Sequence, residues 1–300
     1  MTKYFSFLFL LLGLSSCDDG DIIITGFEFD DATLELCKGA KQNEFVFFKI
    51  NKDNNEAIAF SFVNETYSDT VPTSTPITIE LGKDNGSLVY RNFNLAVTST
   101  YFCSNVPSSE IVIEEELIGV QGTVEILNEI VLEDDNDGIP AEDEDINGNG
   151  DLNDDDTDGD GIPNYKDQDD DNDNILTSVE LPNEIANNDD PRDTDKDNIP
   201  DYLEEDDDND GILTRFEDAD GDGSPRDDRD PISGTPFYLD AQSTNTPVTV
   251  EPKLDNTVQT TFRTTVSVNN LAFDGNNENF KDKNFSFGFI DVPTPITTKK

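Results

Sequence analysis

The chain has 300 residues, only 34% of them hydrophobic, and 67 Asp and Glu against 19 Lys and Arg give a formal net charge of −48. That charge excludes nucleic acid and anionic lipid headgroups as electrostatic partners and points to cations as counterions. His and Trp are both absent, which excludes Ser-His-Asp and Cys-His catalysis, His-ligated zinc and any imidazole acid or base near neutral pH.

Lys3 precedes an apolar run from Tyr4 to Leu14. A membrane-spanning helix needs about 20 apolar residues, so this run reads as the core of a signal peptide over residues 1–16. The Leu14-Ser15-Ser16-Cys17 that follows resembles a bacterial lipobox. The resemblance implies acylation of Cys17, with 17–21 as a tether into outer-membrane lipid. Asp18 and Asp19 directly after that cysteine resemble the surface-export signal of lipoproteins from the Bacteroidetes, which implies an outward-facing anchor. Cys37 and Cys103 then remain, and an oxidising compartment favours a disulfide between them, the alternative being two separate buried thiols.

Residues 22–132 read as strands at Ile22–Phe29, Glu44–Ile50, Ala57–Val63, Pro76–Leu81, Ser87–Phe93, Ile111–Leu117 and Val124–Leu132. Alternation at Phe60 and Phe62 and at Ile77, Ile79 and Leu81, with turn signals such as Asp84-Asn85-Gly86, predicts a mainly β chain whose first domain is an antiparallel β-sandwich. A smaller β block over 235–300 is predicted to hold strands at Val248–Val250, Val258–Val268 and Phe285–Ile290. Three strands bury little core alone, so this block either packs on the first domain or contains further strands. TPITIELGKDN at 75–85 is echoed by TPVTVEPKLDN at 246–256.

Between these blocks, residues 133–230 carry 40 acidic and 6 basic residues, about 34 of the 48 net negative charges. A stretch of this composition is ordinarily disordered, because repulsion and the lack of apolar residues leave nothing to offset chain entropy. Its register says otherwise. In a calcium loop, side-chain oxygens come from positions 1, 3 and 5, the chain turns at 6, a carbonyl serves at 7 and an acid closes at 12. Seven loops fit that spacing. The first is Glu133, Asp135, Asp137 and Glu144; the second Asp145, Asn147, Asn149 and Asp156; the third Asp156, Asp158, Asp160 and Asp167. The fourth is Asp169, Asp171, Asp173 and Glu180; the fifth Asp193, Asp195, Asp197 and Glu204; the sixth Asp206, Asp208, Asp210 and Glu217. The seventh has Asp218, Asp220 and Asp222, but Arg229 stands at position 12, so either Asp228 or Asp230 serves there or the site is weak. Position 6 is always Gly or Asn, the residues that best tolerate a left-handed backbone. Position 8 alternates Pro and Leu, from Pro140 and Leu152 to Leu213 and Pro225, which suggests paired loops. A double step between the fourth and fifth loops spans a degenerate unit with Glu184, Asp189 and Asp190.

One loop opens where the last closes, which leaves no room for the paired helices of an EF-hand. The tract, with DTDGDGIPNYKD at 156–167 and DDDNDGILTRFE at 206–217, resembles cysteine-free thrombospondin type 3 repeats. The resemblance implies calcium binding in a spacer or adhesion context. The oxygen-only donor set likewise favours several Ca2+ ions over softer metals and over Mg2+. The expected function is that of a calcium-binding, lipid-anchored surface protein, not an enzyme. Its repeats would form a calcium-ordered spacer between β modules that capture an extracellular protein or glycan. One alternative is a glycan or nutrient receptor using Tyr67, Tyr90, Tyr101 and Phe102, residues that equally suit a core; a glycoside hydrolase built on paired carboxylates is a remoter one.

Overall fold

The computed structural model describes residues 29–83, 86–104, 106, 108–181, 191–243, 245–253, 255–274 and 279–299. The signal peptide, Cys17, the tether, all but the last residue of the Ile22–Phe29 strand, Asp84 and Asn85, and the degenerate unit with Glu184, Asp189 and Asp190 lie outside the described residues.

The chain is mainly β. Its strands are β1 Glu35–Lys38, β2 Glu44–Asn51, β3 Glu56–Val63, β4 Ile77–Glu80, β5 Gly86–Phe93, β6 Ile113–Asp134, β7 Asp255–Asp274 and β8 Asn279–Lys299. They form one sheet in the order β1-β2-β3-β5-β6-β7-β8, with β4 also paired to β6. The strands of residues 235–300 thus complete the sheet of the N-terminal block. β6 joins two segments predicted as separate strands, while β1 and a short helix α1, Ser99–Cys103, were not expected. By compactness the chain divides into two units: 1–65, 78–125 and 266–288 in one, and 66–77, 126–265 and 289–300 in the other.

The first unit is held by aromatic and aliphatic burial. β2 and β3 pair antiparallel with Phe47 opposite Phe60, and β3 pairs with β5 with Phe60 opposite Leu88. These strands are buried on both faces. On one face Phe47 and Phe60 each stack on Phe62, with ring centroids 5.9 and 5.4 Å apart. On the other, Phe48 packs with Val46 and Ala59 and stacks on Phe102 of α1 at 4.7 Å. The Cys37–Cys103 disulfide, Cα to Cα 5.6 Å, ties α1 to β1. Fully burying side chains of this size contributes about 1.5–3 kcal/mol each. β8 comes back against β2, since a Cβ built on Gly288 would lie 3.6 Å from Lys49 Nζ and 3.9 Å from Leu34 Cβ. The strands predicted as a sandwich thus belong to one sheet, in which β8 lies near β2 at Gly288. Gly122, at φ 138°, lets β4 close in: its carbonyl accepts from Leu81 N at 2.9 Å, and a Cβ there would meet Leu81 Cδ1 at 3.3 Å.

In the second unit the acidic tract leaves from β6 and returns into β7, two neighbours in the sheet. Near this junction the buried Asn128 accepts from Thr264 Oγ1 at 3.1 Å and donates to the carbonyls of Ser68 and Val71. The tract is therefore an excursion from one sheet, not a spacer strung between two β modules. The reason is pairing: β7 satisfies its backbone groups against β6, which brings both ends of the tract together. The predicted Val248–Val250 strand is absent, and residues 245–253 instead run along the tract. Val248 N donates to Phe216 O at 2.8 Å, and Lys253 N to Asn174 Oδ1 at 2.7 Å. Of the echoed segments, 77–80 thus folds as β4, whereas 246–253 forms an irregular strap. Of the aromatics considered for a glycan platform, Tyr67 and Tyr90 are buried, Phe102 stacks on Phe48 and Tyr101 packs edge-on against Phe93.

Candidate metal centre

Each of the seven loops repeats one backbone design. Position 6 is left-handed throughout, at Gly138, Gly150, Gly161, Asn174, Asn198, Gly211 and Gly223. Position 4 is left-handed as well, at Asn136, Gly148, Gly159, Asn172, Lys196, Asn209 and Gly221. Gly or Asn fills six of these seven position-4 places, a signal present in the sequence and not used above. Two such residues flanking position 5 curl the backbone so that successive amides point inward. The position-5 side chain then accepts from the position-7 amide, as in Ile139 N to Asp137 Oδ1 at 2.8 Å and Ile175 N to Asp173 Oδ1 at 2.6 Å. Position 1 accepts from position 6, as in Gly161 N to Asp156 at 3.0 Å and Gly211 N to Asp206 at 3.0 Å.

In five of the loops position 8 is the extended residue before a single helical turn, and in the second and seventh, at Leu152 and Pro225, it opens the turn itself. Pro140, Pro163, Leu176, Pro200 and Leu213 all take this place, with φ between −70° and −59°, a range that proline adopts without strain. The turn then swings the closing acid back over the loop. Positions 2 and 9 form a clasp that sequence reasoning missed: Thr157 with Asn164, Asp170 with Thr177, Thr194 with Asp201 and Asp207 with Thr214. The pairing suggested by Pro and Leu has a physical basis. Asn172 Nδ2 of the fourth loop donates to Asp158 of the third at 2.6 Å, and Asn209 Nδ2 of the sixth donates to Asp195 of the fifth at 2.8 Å.

Several expected ligand sets converge. Asp135, Asp137 and Glu144 bring oxygens within 4.8 Å of one another, as do Asp156, Asp158 and Asp160, Asp169, Asp171 and Asp173, and Asp193, Asp195 and Asp197. The sixth loop draws Glu217 towards Asp208, Asp210 and Asp206, whose charges act on it. Glu204 closes the fifth loop in the same way.

Two expectations need correction, and a third, left open between Asp228 and Asp230, is narrowed to one. Glu133 does not join the first site: it pairs with Lys166 at 2.7 Å, while Asp134, at position 2, accepts from Asn136 N and Ala141 N and so makes the first loop's version of the clasp between positions 2 and 9. In the second loop Asn147 and Asn149 donate their amides to Asp154 and Asp155, which ties those side chains to acids before Asp156. Asp145 accepts from Asn149 N and Gly150 N, while Asp156 accepts from Gly159 N and Gly161 N of the third loop. In the seventh loop Asp218 and Asp220 organise the turn around Asp222, and Asp228 is the acid that reaches them. Asp230 is spent instead on Ile232 N and Ser233 N.

The electrostatics are those of a core built from carboxylates. Asp135, Asp137, Glu144, Asp169, Asp171, Asp173, Glu180, Asp208, Glu217 and Asp218 are all buried. Neither oxygen of Glu144, Asp170 or Asp171 receives a hydrogen bond. Desolvation, reinforced by the charges of Asp137 and Glu144, pushes Asp135 up to about 9. Desolvation together with Asp137 and Asp134 pushes Glu144 up to about 8. Asp170, outside the template, is raised to about 10 by desolvation and then by Glu144, Asp137 and Asp135, so it faces the first loop's site. Asp171, Asp173, Glu180 and Asp207 are likewise raised well above the ordinary carboxylate range, by desolvation first and then by neighbouring carboxylates. Removing a carboxylate from water costs several kcal/mol unless a cation or donors compensate. A cluster of this kind takes up either protons or cations, and its all-oxygen donor set with several closely spaced carboxylates fits a hard divalent ion.

Among known proteins, the family model described as BamM C-terminal matches residues 134–189, which span the first four loops. No curated protein and no solved structure matches the chain. The family resemblance is thus confined to the acidic tract.

Proposed function

We propose that this chain is a calcium-binding protein of the bacterial outer membrane, held by lipid on Cys17, in which Ca2+ ions stand in for a hydrophobic core along residues 133–230. The observation that carries the reading is the set of buried carboxylate oxygens facing one another without donors in a backbone repeated seven times. Extracellular calcium modules typically bind at about 10⁻⁴–10⁻³ M, which suits a structural role outside the cell. The match to the BamM C-terminal model supports a bacterial outer-membrane association, and the lipobox-like Leu14–Cys17 supports the anchor. Among the described residues no helix is long and apolar enough to cross a membrane. The ordered tract would present an acidic, ion-bound surface to an extracellular protein or glycan, with adhesion or ligand capture as its role.

Calorimetric titration of the mature chain after chelation tests this. Several equivalents of Ca2+ are expected to bind, with Mg2+ unable to replace them, and absence of uptake at millimolar Ca2+ would overturn the reading. Cys17→Ser is expected to move the protein from the membrane fraction to the soluble one; unchanged fractionation would rule out the lipid anchor.

A further inference from the structure

One group of carboxylates lies across the loop register instead of within it. Asp173 at position 5 and Glu180 at position 12 of the fourth loop meet Asp207, from position 2 of the sixth, with oxygens within 4.8 Å of one another. None of the three side chains is more than 1% exposed, and Asp173 Oδ2, Glu180 Oε2 and Asp207 Oδ2 accept no hydrogen bond. Asp207 is fixed by the Thr214 hydroxyl, which donates to its Oδ1 at 2.9 Å. On one side stands Arg192, with a nitrogen 3.3 Å from Glu180 Oε1 and 3.6 Å from Asp207 Oδ2. Its Nε is bonded to Asp201, and its guanidinium lies 5.6 Å from the Tyr238 ring centroid. Asp171 of the adjoining set is fully buried, and neither of its oxygens accepts a bond.

We propose that Asp173, Glu180 and Asp207 hold a divalent cation of their own, beside the one held by Asp169, Asp171 and Asp173. The two ions share the Asp173 carboxylate. This rests on the calcium reading above and adds to it an ion that ties the fourth loop to the sixth. Charge favours two ions over one. Six buried carboxylates, those of residues 169, 171, 173, 180, 201 and 207, face a single guanidinium. One divalent cation leaves this pocket three negative charges in excess, and two leave one, which limits the penalty for keeping unpaired charge away from water. Arg192 serves as the fixed cation on the side that no metal occupies. A strictly local array, with each ion held by one twelve-residue loop, assigns Asp207 no metal.

Equilibrium dialysis of the full mature chain against isotopic calcium tests this by counting bound ions. Asp207→Asn is expected to bind one ion fewer than the unsubstituted chain. Asp227→Asn, on an exposed acid outside the ligand sets, is expected to keep the full number. Should Asp207→Asn fail to fold, Asp207→Ser is expected to give the same count. An unchanged number in either Asp207 variant overturns the cross-loop site and leaves the calcium reading standing. If the unsubstituted chain binds none, the calcium reading falls and this site with it.

Discussion

The sheet of the first unit and the acidic tract of the second solve the same problem with opposite materials. β2, β3 and β5 exclude water with Phe47, Phe48, Phe60 and Leu88, side chains that attract nothing but one another. The loops exclude water with Asp135, Asp171 and Asp173, side chains that repel one another unless protons or cations intervene. A hydrophobic core is complete from the chain alone, whereas a carboxylate core depends on what the solvent supplies. The two regions should therefore respond differently to every change of solution.

The largest expected effect is chelation. A site saturated at about 100 times its dissociation constant adds about 2.7 kcal/mol, and several such sites add together. Hydrogen exchange of the calcium-loaded chain after EDTA should show residues 145–230 losing protection by about two orders of magnitude or more, while 44–63 keep theirs. Equal loss in both stretches would mean that the sheet depends on the ions too. Next comes Phe60→Ala, which should cost about 3–5 kcal/mol by opening a cavity. That cost should be the same with calcium and with EDTA, as read from urea midpoints, and a cost present in only one condition would break the distinction.

Asp171→Asn should act with opposite signs. It removes one charge from a repelling cluster, so it should stabilise the chelated chain by about 1–3 kcal/mol and destabilise the calcium-loaded one by a similar amount. The same sign in both melts would show that Asp171 faces no ion. The dependence on pH follows from carboxylates raised by burial and by their neighbours, such as Glu144 at about 8 and Asp135 at about 9. The folded, metal-free state binds more protons than the unfolded one between the ordinary carboxylate range and these values. Its stability is therefore highest at low pH and falls as pH rises through them. Calcium must displace those protons, so affinity at the first loop should drop about tenfold per pH unit between about 9 and 8, where only Asp135 is protonated, and about a hundredfold per unit below about 8, where Glu144 is protonated too. A calorimetric affinity that is flat between pH 6 and 8 would contradict this. The smallest effect belongs to Lys196, a long side chain held at φ 68° where the other loops place Gly or Asn. Lys196→Asn should stabilise the calcium-loaded protein by less than about 1 kcal/mol, and a lower melting temperature would show that Lys196 has a compensating contact.

What could be read from the residues alone is what local sterics and chemistry dictate. Position 6 needs Gly or Asn because each loop turns left-handed there, and Cys37 and Cys103 were the two cysteines left to pair. β2, β3, β4 and β5 follow from β-branched and aromatic alternation between turns. The spacing of Asp also anticipated which carboxylates converge within a loop, since a twelve-residue loop carries its own register. Tertiary structure decided the rest, because those choices depend on partners distant in the chain. Glu133 was lost to Lys166, 33 residues on. Asp170 and Asp207 face carboxylates of other loops, an arrangement that no single-loop template contains. Val248–Val250 has strand-forming residues, yet its backbone bonds to the tract, and residues that alternate as a strand do so only when another strand is there to receive them. The pairing of β6 with β7 turned a predicted spacer into an excursion from one sheet, because backbone groups buried at its base must be satisfied by the nearest strand whatever the sequence distance.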